Sequence, residues 1–221
     1  TMLCCIAPKS GWVVYVVGRA FKAVNIETLE ERTLIADIGS DWIAGQPSVD
    51  PDETHAIVPV MSAHPEIARG ERPTKSYIPY FSETGPTMRL LQVPLTGGEV
   101  KVVYMEEGTG CAHCPHNPQD SDLILVDRDK PPRLWGGSDG KTNRIWTLRL
   151  STGTLTELPP QDAARFQVHC AWTWDGEAIL YHGLSAEQGY YIGAVDPQGQ
   201  TIREYLFRDA QSYGHVSAMA N

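Results

Sequence analysis

The sequence predicts an all-β protein, and specifically a β-propeller, from two observations. The apolar stretches are short and β-branched, and a strand-and-turn unit recurs in one order. Trp12-Val-Val-Tyr-Val-Val17 is β-branched and aromatic, Gly18-Arg19 is a two-residue turn, and Phe21-Lys-Ala-Val24 returns. Thr33-Leu-Ile35 then closes a three-strand meander after the turn at Ile26 to Glu30. Nothing in this region repeats at helical spacing over the roughly ten residues that a helix needs.

The repeat shows when strand ends are compared. Val24-Asn-Ile-Glu-Thr-Leu-Glu30 aligns with Val93-Pro-Leu-Thr-Gly-Gly-Glu99 and with Leu148-Arg-Leu-Ser-Thr-Gly-Thr154, and more loosely with Ala194-Val-Asp-Pro-Gln-Gly-Gln200. Each unit reads as an Asp turn, an apolar strand, a variable loop, an alternating strand, a Thr-Gly turn and a second alternating strand. Length varies in the loop, notably Met61 to Thr87 and Arg128 to Asn143. Four-stranded units at intervals of roughly 40–50 residues are blades of a propeller. The alternative is a β-sandwich, which has no reason to repeat one unit in one order. The units fall at roughly 1–37, 38–106, 107–160, 161–209 and 210–221, in a single domain. That makes about four blades and the start of another, so the propeller is expected to be incomplete, with the first strand of its first unit missing.

At 221 residues and 42% hydrophobic, the chain can bury a sizeable core. Against 27 acidic residues there are 18 Lys and Arg, a formal charge of −9. That balance argues against a nucleic-acid partner and offers no basic patch for anionic lipid. No apolar run approaches the roughly 20 residues of a membrane-spanning helix. The five cysteines are odd in number, and Cys4 and Cys5 are adjacent. They make a poor disulfide framework and suit a reducing compartment, with the cytoplasm as the expectation.

Three histidines occupy the same place in successive units. His113 precedes the Asn117-Pro-Gln-Asp120 turn and the strand Leu123 to Val126. His169 precedes the Trp174-Asp-Gly-Glu177 turn and Ile179 to Tyr181, and His215 begins the pattern again. An earlier unit carries Gly45-Gln46-Pro47 at the corresponding position. The innermost strand of a blade lines the central channel, so residues leading into it face the channel mouth and converge. A lone histidine is more often structural than functional, but blade packing alone does not require imidazole three times at one repeat position. Imidazole can bind a transition metal as the neutral ring or act as a general base. His55, His64, His116 and His182 show no such registration and read as structural or exposed. Cys111-Ala-His-Cys114 with Cys170 offers a competing redox pair or zinc site, and small buried thiols at a strand start are the commoner alternative.

Asn143-Arg-Ile-Trp-Thr-Leu-Arg149, the segment His169 to Tyr181, His113 with Pro118 five residues on, and Asn25 to Arg32 resemble the oligogalacturonate lyases. These are seven-bladed propeller enzymes of pectin breakdown. The resemblance runs along nearly the whole chain in blade pattern rather than in close identity. It implies β-elimination on a small uronate oligosaccharide, with His113 as the base. It implies an arginine near that base, with Arg89 the best match and Arg144 the runner-up as a substrate-binding residue. It further implies a divalent metal, usually manganese, on histidines and a glutamine of later blades. His169 matches the first of those ligands and His215 the last. The positions five and two residues before His215 hold Ala210 and Tyr213 where the family has Gln and His, and Gln211 is one residue out of step. That departure keeps open a non-catalytic propeller that binds a ligand or protein across its channel mouth. An unclosed propeller leaves two sheet faces exposed, which keeps open a fragment unable to fold alone.

Overall fold

The computed structural model describes residues 3–69, 85–111, 113–128, 144–158, 165–185 and 189–207. Four antiparallel sheets follow one another along the chain. The first runs β1 (Leu3–Ala7), β2 (Trp12–Val17), β3 (Ala20–Asn25) and β4 (Glu31–Ile35). In the second, β5 (Trp42–Ala44) and the short β6 (Ser48–Val49) share the inner edge of β7 (His55–Ser62), followed by β8 (Thr87–Pro94) and β9 (Lys101–Glu107). The third runs β10 (His116–Asn117), β11 (Asp120–Asp127), β12 (Ile145–Arg149) and β13 (Thr154–Glu157). The fourth runs β14 (Arg165–Trp172), β15 (Ile179–Ser185), β16 (Gly189–Val195) and β17 (Thr201–Phe207). One helical turn, α1 (Pro65–Ala68), follows β7.

One expectation is corrected at the start. The first sheet has four strands, because Leu3-Cys-Cys-Ile-Ala7 pairs with β2 from Leu3 opposite Val16 to Ala7 opposite Trp12. Its alternation is real: Ala7 is buried and Cys5 half-buried, while Cys4 and Ile6 face outward. Two adjacent thiols disguise that pattern in the sequence. The Gly18-Arg19 hairpin is a true two-residue loop, with Val17 opposite Ala20 and Gly18 at φ 58°.

Period-2 side-chain alternation explains how the sheets stack. Along β7, Ala56, Val58 and Val60 pack with Val14, Phe21 and Leu34 of the first sheet, whereas Ile57 packs with Ile124, Val126 and Leu148 of the third. Along β11, Ile124 and Val126 face the second sheet, while Leu125 joins Ile179, Tyr181 and Tyr191 of the fourth. The middle sheets are thus buried on both faces, which is why Ala56–Val60 and Leu123–Val126 read as near-continuous apolar runs. Three consecutive interfaces between four sheets are blade-on-blade packing; a sandwich would have one.

Polar contacts tie the inner strands across these interfaces. Glu53 accepts the backbone N–H groups of Lys9 and Ser10 at 2.6 and 2.7 Å, joining the first and second sheets. Ser48 Oγ lies 3.0 Å from His116 Nδ1 and accepts the His116 backbone N–H at 2.8 Å, joining the second and third. Asn117 Nδ2 donates to Gly176 O at 2.9 Å, and Trp172 Nε1 donates to Pro115 O at 3.0 Å, joining the third and fourth.

His116 gives this joint a pH dependence. Burial disfavours its charged form and pulls its pKa from 6.5 down to about 4. The unfolded chain therefore takes up a proton that the native state refuses. Stability is fully present above pH 6.5 and lost as pH falls toward 4, by on the order of 3 kcal/mol. Urea unfolding across that window should show the decline in the wild type and a shallower slope in His116→Gln; equal slopes would contradict this assignment.

Candidate active site

The site is assembled from the ends of strands in the third and fourth sheets. His113 lies just ahead of β10, where it forms an isolated parallel bridge with Gln46. Its carbonyl accepts the backbone N–H of Asp127, the last residue of β11, at 3.2 Å. Chain and partner strand are thereby fixed side by side, and the side chains meet: His113 Nδ1 stands 3.2 Å from Asp127 Oδ2. Asp127 is buried, with 4% of its side chain exposed, while the His113 side chain is 39% exposed. The imidazole therefore bridges a dry carboxylate and open solvent.

Asp127 shares the alternation of Leu125 and so faces the fourth sheet. There it meets Arg144, whose Nη2 is 3.3 Å from Oδ2, and the Cys170 thiol. Burial alone would push the Asp127 carboxyl up; the Arg144 guanidinium, the His113 hydrogen bond and charge, and the Cys170 hydrogen bond outweigh it and hold the pKa below its ordinary value. An ionised Asp127 selects the His113 tautomer that carries its proton on Nδ1. Nε2 is then left with the lone pair that a general base needs.

His169 sits within β14 at φ 50°, a conformation uncommon for residues other than glycine. The pairing of β14 with β15 shifts register between Val168 and Ala171, so the strand bulges at this residue. The His169 Nδ1 atom lies 3.0 Å from Nε2 of His182, a buried residue of β15. One cavity of about 470 Å³ has both His113 and His169 in its wall, together with Asp127, His116, Trp172 and Trp174. Trp174 is 55% exposed.

The other sequence candidates are placed as follows. Arg144 joins the group through Asp127. Arg89 does not: in β8 it alternates with Met88 and Leu90, which face the third sheet, so its guanidinium turns the other way and stacks over the Trp42 ring at 4.1 Å. His215 and Gln211 lie outside the described residues. Cys111 and Cys114 are buried, Cys111 Sγ lies 3.2 Å from the His113 carbonyl, and burial, followed by the Asp127 charge, pushes the Cys114 thiol far up. A thiol held protonated is a poor zinc ligand or redox nucleophile. Among the described residues no group of three or more His, Cys, Asp and Glu could by itself hold a metal ion. His169, a residue of the cavity wall with its Nδ1 engaged by His182, is by itself a single imidazole donor, so the described residues alone do not make a metal site. One residue escaped the sequence reading: Asp127, legible as an acid closing the apolar run Leu123–Val126. His182, expected to be structural or exposed, is buried in β15.

No family model matches the chain, and no curated protein does. Solved structures do. An oligogalacturonate lyase in complex with manganese superposes with a TM-score of 0.72 at 20% identity, over 91% of this chain and 52% of that one. The oligogalacturonate lyase from Vibrio parahaemolyticus gives 0.71 at 21% identity, over 88% and 50%. The Cps50 (Swd1) β-propeller domain of Myceliophteria thermophila gives 0.57 at 10% identity, over 93% and 55%. The chain spans about half the length of the lyases it matches. It is a partial β-propeller, and its fold is similar to that of the oligogalacturonate lyases.

Proposed function

We propose that the protein is a carbon–oxygen lyase that cleaves short oligogalacturonates or related uronate oligosaccharides by β-elimination. The observation that carries this reading is the His113 imidazole held through Nδ1 by a buried carboxylate, in the wall of the same cavity as His169. Likeness of fold to two oligogalacturonate lyases supports it.

The reaction removes the proton α to the uronate carboxylate and expels the glycosidic oxygen from the β carbon. His113 Nε2 takes that proton. The C–H electron pair becomes the new carbon–carbon double bond, and the β C–O bond breaks with its pair on oxygen. Asp127 stabilises the imidazolium that forms and keeps the ring in one tautomer. An isolated Asp127 carboxylate would repel an anionic uronate, and Arg144 offsets its charge inside the wall. The pair is then close to neutral, and protonated His113 becomes the local positive centre as charge builds on the substrate. Trp172 and Trp174 supply apolar surface suited to the faces of sugar rings. A divalent metal, manganese in the solved oligogalacturonate lyase of similar fold, would be held by His169 with His215 and Gln211, the latter two outside the described residues, and would acidify the α proton by drawing charge from the carboxylate.

Release of unsaturated sugar from di- and trigalacturonate, followed by ultraviolet absorbance, tests the proposal. His113→Ala should reduce turnover by about 10²–10⁴-fold, and undiminished turnover would remove His113 from the mechanism. Uronate binding with no cleavage in the wild type would leave a binding module instead. Arg144→Ala strands the buried Asp127 charge and should lower stability by roughly 3–5 kcal/mol. A denaturation midpoint equal to that of the wild type would show that the pair is not needed to hold the wall together.

A further inference from the structure

We infer that His116 is a substrate-binding residue whose Nε2–H donates a hydrogen bond to a sugar hydroxyl where the main cavity meets a second one. The inference rests on the uronate reading above and adds a contact that the proposed chemistry does not contain.

Three observations converge. His116 borders two spaces: the cavity of about 470 Å³ that holds His113, and a smaller one of about 260 Å³ with Lys9, Asp50 and Glu53 in its wall. One edge of its ring is fixed. Ser48 Oγ accepts the His116 backbone N–H at 2.8 Å and lies 3.0 Å from Nδ1 of the same residue. Among the described residues, the Ser48 hydroxyl proton has no acceptor other than that nitrogen. Were Nδ1 to carry the proton, Ser48 Oγ would accept twice and its own O–H would lose its partner within the protein. Ser48 therefore donates to Nδ1, and the neutral ring carries its proton on Nε2. That N–H has no hydrogen-bond partner among the described residues. Finally, the ring stays neutral: burial draws its pKa down to about 4 against the pull of the Asp50 charge, and the His55 charge adds to the lowering.

These facts separate a donor from other roles. A ring this hard to protonate is a weak base toward Ser48, which sets aside a serine nucleophile. Neighbouring ring nitrogens of the wall are committed elsewhere, His113 Nδ1 to Asp127 and Trp172 Nε1 to Pro115 O. The Asp50 charge reaches the ring and disfavours a carboxylate beside it, so the acceptor is a neutral oxygen. Sugar hydroxyls supply such oxygens, and the main cavity is of ligand-binding size.

Long-range proton–nitrogen correlation on protein with isotope-labelled histidine reads the tautomer without any sugar. His116 should be the Nε2–H form at neutral pH, and finding it as the Nδ1–H form overturns the inference. Calorimetric titration of digalacturonate gives a second readout, in a His113→Ala background that suppresses turnover. Asn places its amide near Nδ1 and Gln places its amide near Nε2. Adding His116→Asn, which keeps a partner for Ser48 but removes the donor, should weaken binding about 3–10-fold. Adding His116→Gln instead should recover most of that loss. Unchanged affinity with Asn, an equal loss with Gln, or no digalacturonate binding in the shared background overturns it. Neither readout involves cleavage. The expected tautomer and Asn–Gln difference, with no unsaturated sugar from the wild type, would sink the lyase reading alone; cleavage by the wild type with full affinity in the Asn variant would sink this inference alone.

Discussion

A carboxylate with almost no access to water has to be paired, and Asp127 is the group on which this site depends. It closes β11, donates its backbone N–H to the His113 carbonyl, faces the fourth sheet, and gathers His113, Arg144 and Cys170 around its oxygens. Removing any one of these partners leaves the charge less well compensated in a dry environment. The same carboxylate gives His113 a defined tautomer. A requirement of folding and a requirement of the proposed chemistry are met by one side chain, which ties that chemistry to the integrity of the cavity wall.

The architecture makes that pairing possible. Each of the two middle sheets presents alternate residues to the sheets before and after it, so consecutive residues of one strand belong to different interfaces. Ile124 and Val126 look back while Leu125 and Asp127 look forward. Polar ties between inner strands run from Ser48 to His116 and from Asn117 to Gly176, and hold the lead-in segments against one another. His113 and His169, far apart in sequence, meet in one cavity because blade follows blade without interruption.

Much of this was legible in the residues. Four strand-turn units in one order predict the stacked sheets, and the family likeness read from His113, Asn143–Arg149 and His169–Tyr181 agrees with the fold found among solved lyases. One misreading has a physical cause: Cys4 and Cys5 obscured the alternation of β1, so its pairing with Trp12–Val17 was not anticipated. Arg89 lies over the Trp42 ring, and a match in sequence alone does not reveal which strand face an arginine takes. Asp127 was missed because it does not repeat between units. It ends an apolar run within β11, and such a buried polar residue is informative because burial forces it to find a partner.

His113 and His169 line one cavity, and on the proposed function that cavity binds uronate. Titrating digalacturonate into protein carrying isotope-labelled histidine tests it most directly, with ring resonances assigned by single substitutions. His113 and His169 should shift together along one saturable curve while His55 and His64 remain unmoved. Saturable shifts confined to His55 or His64, or no response of His113 and His169 to the sugar, would contradict it.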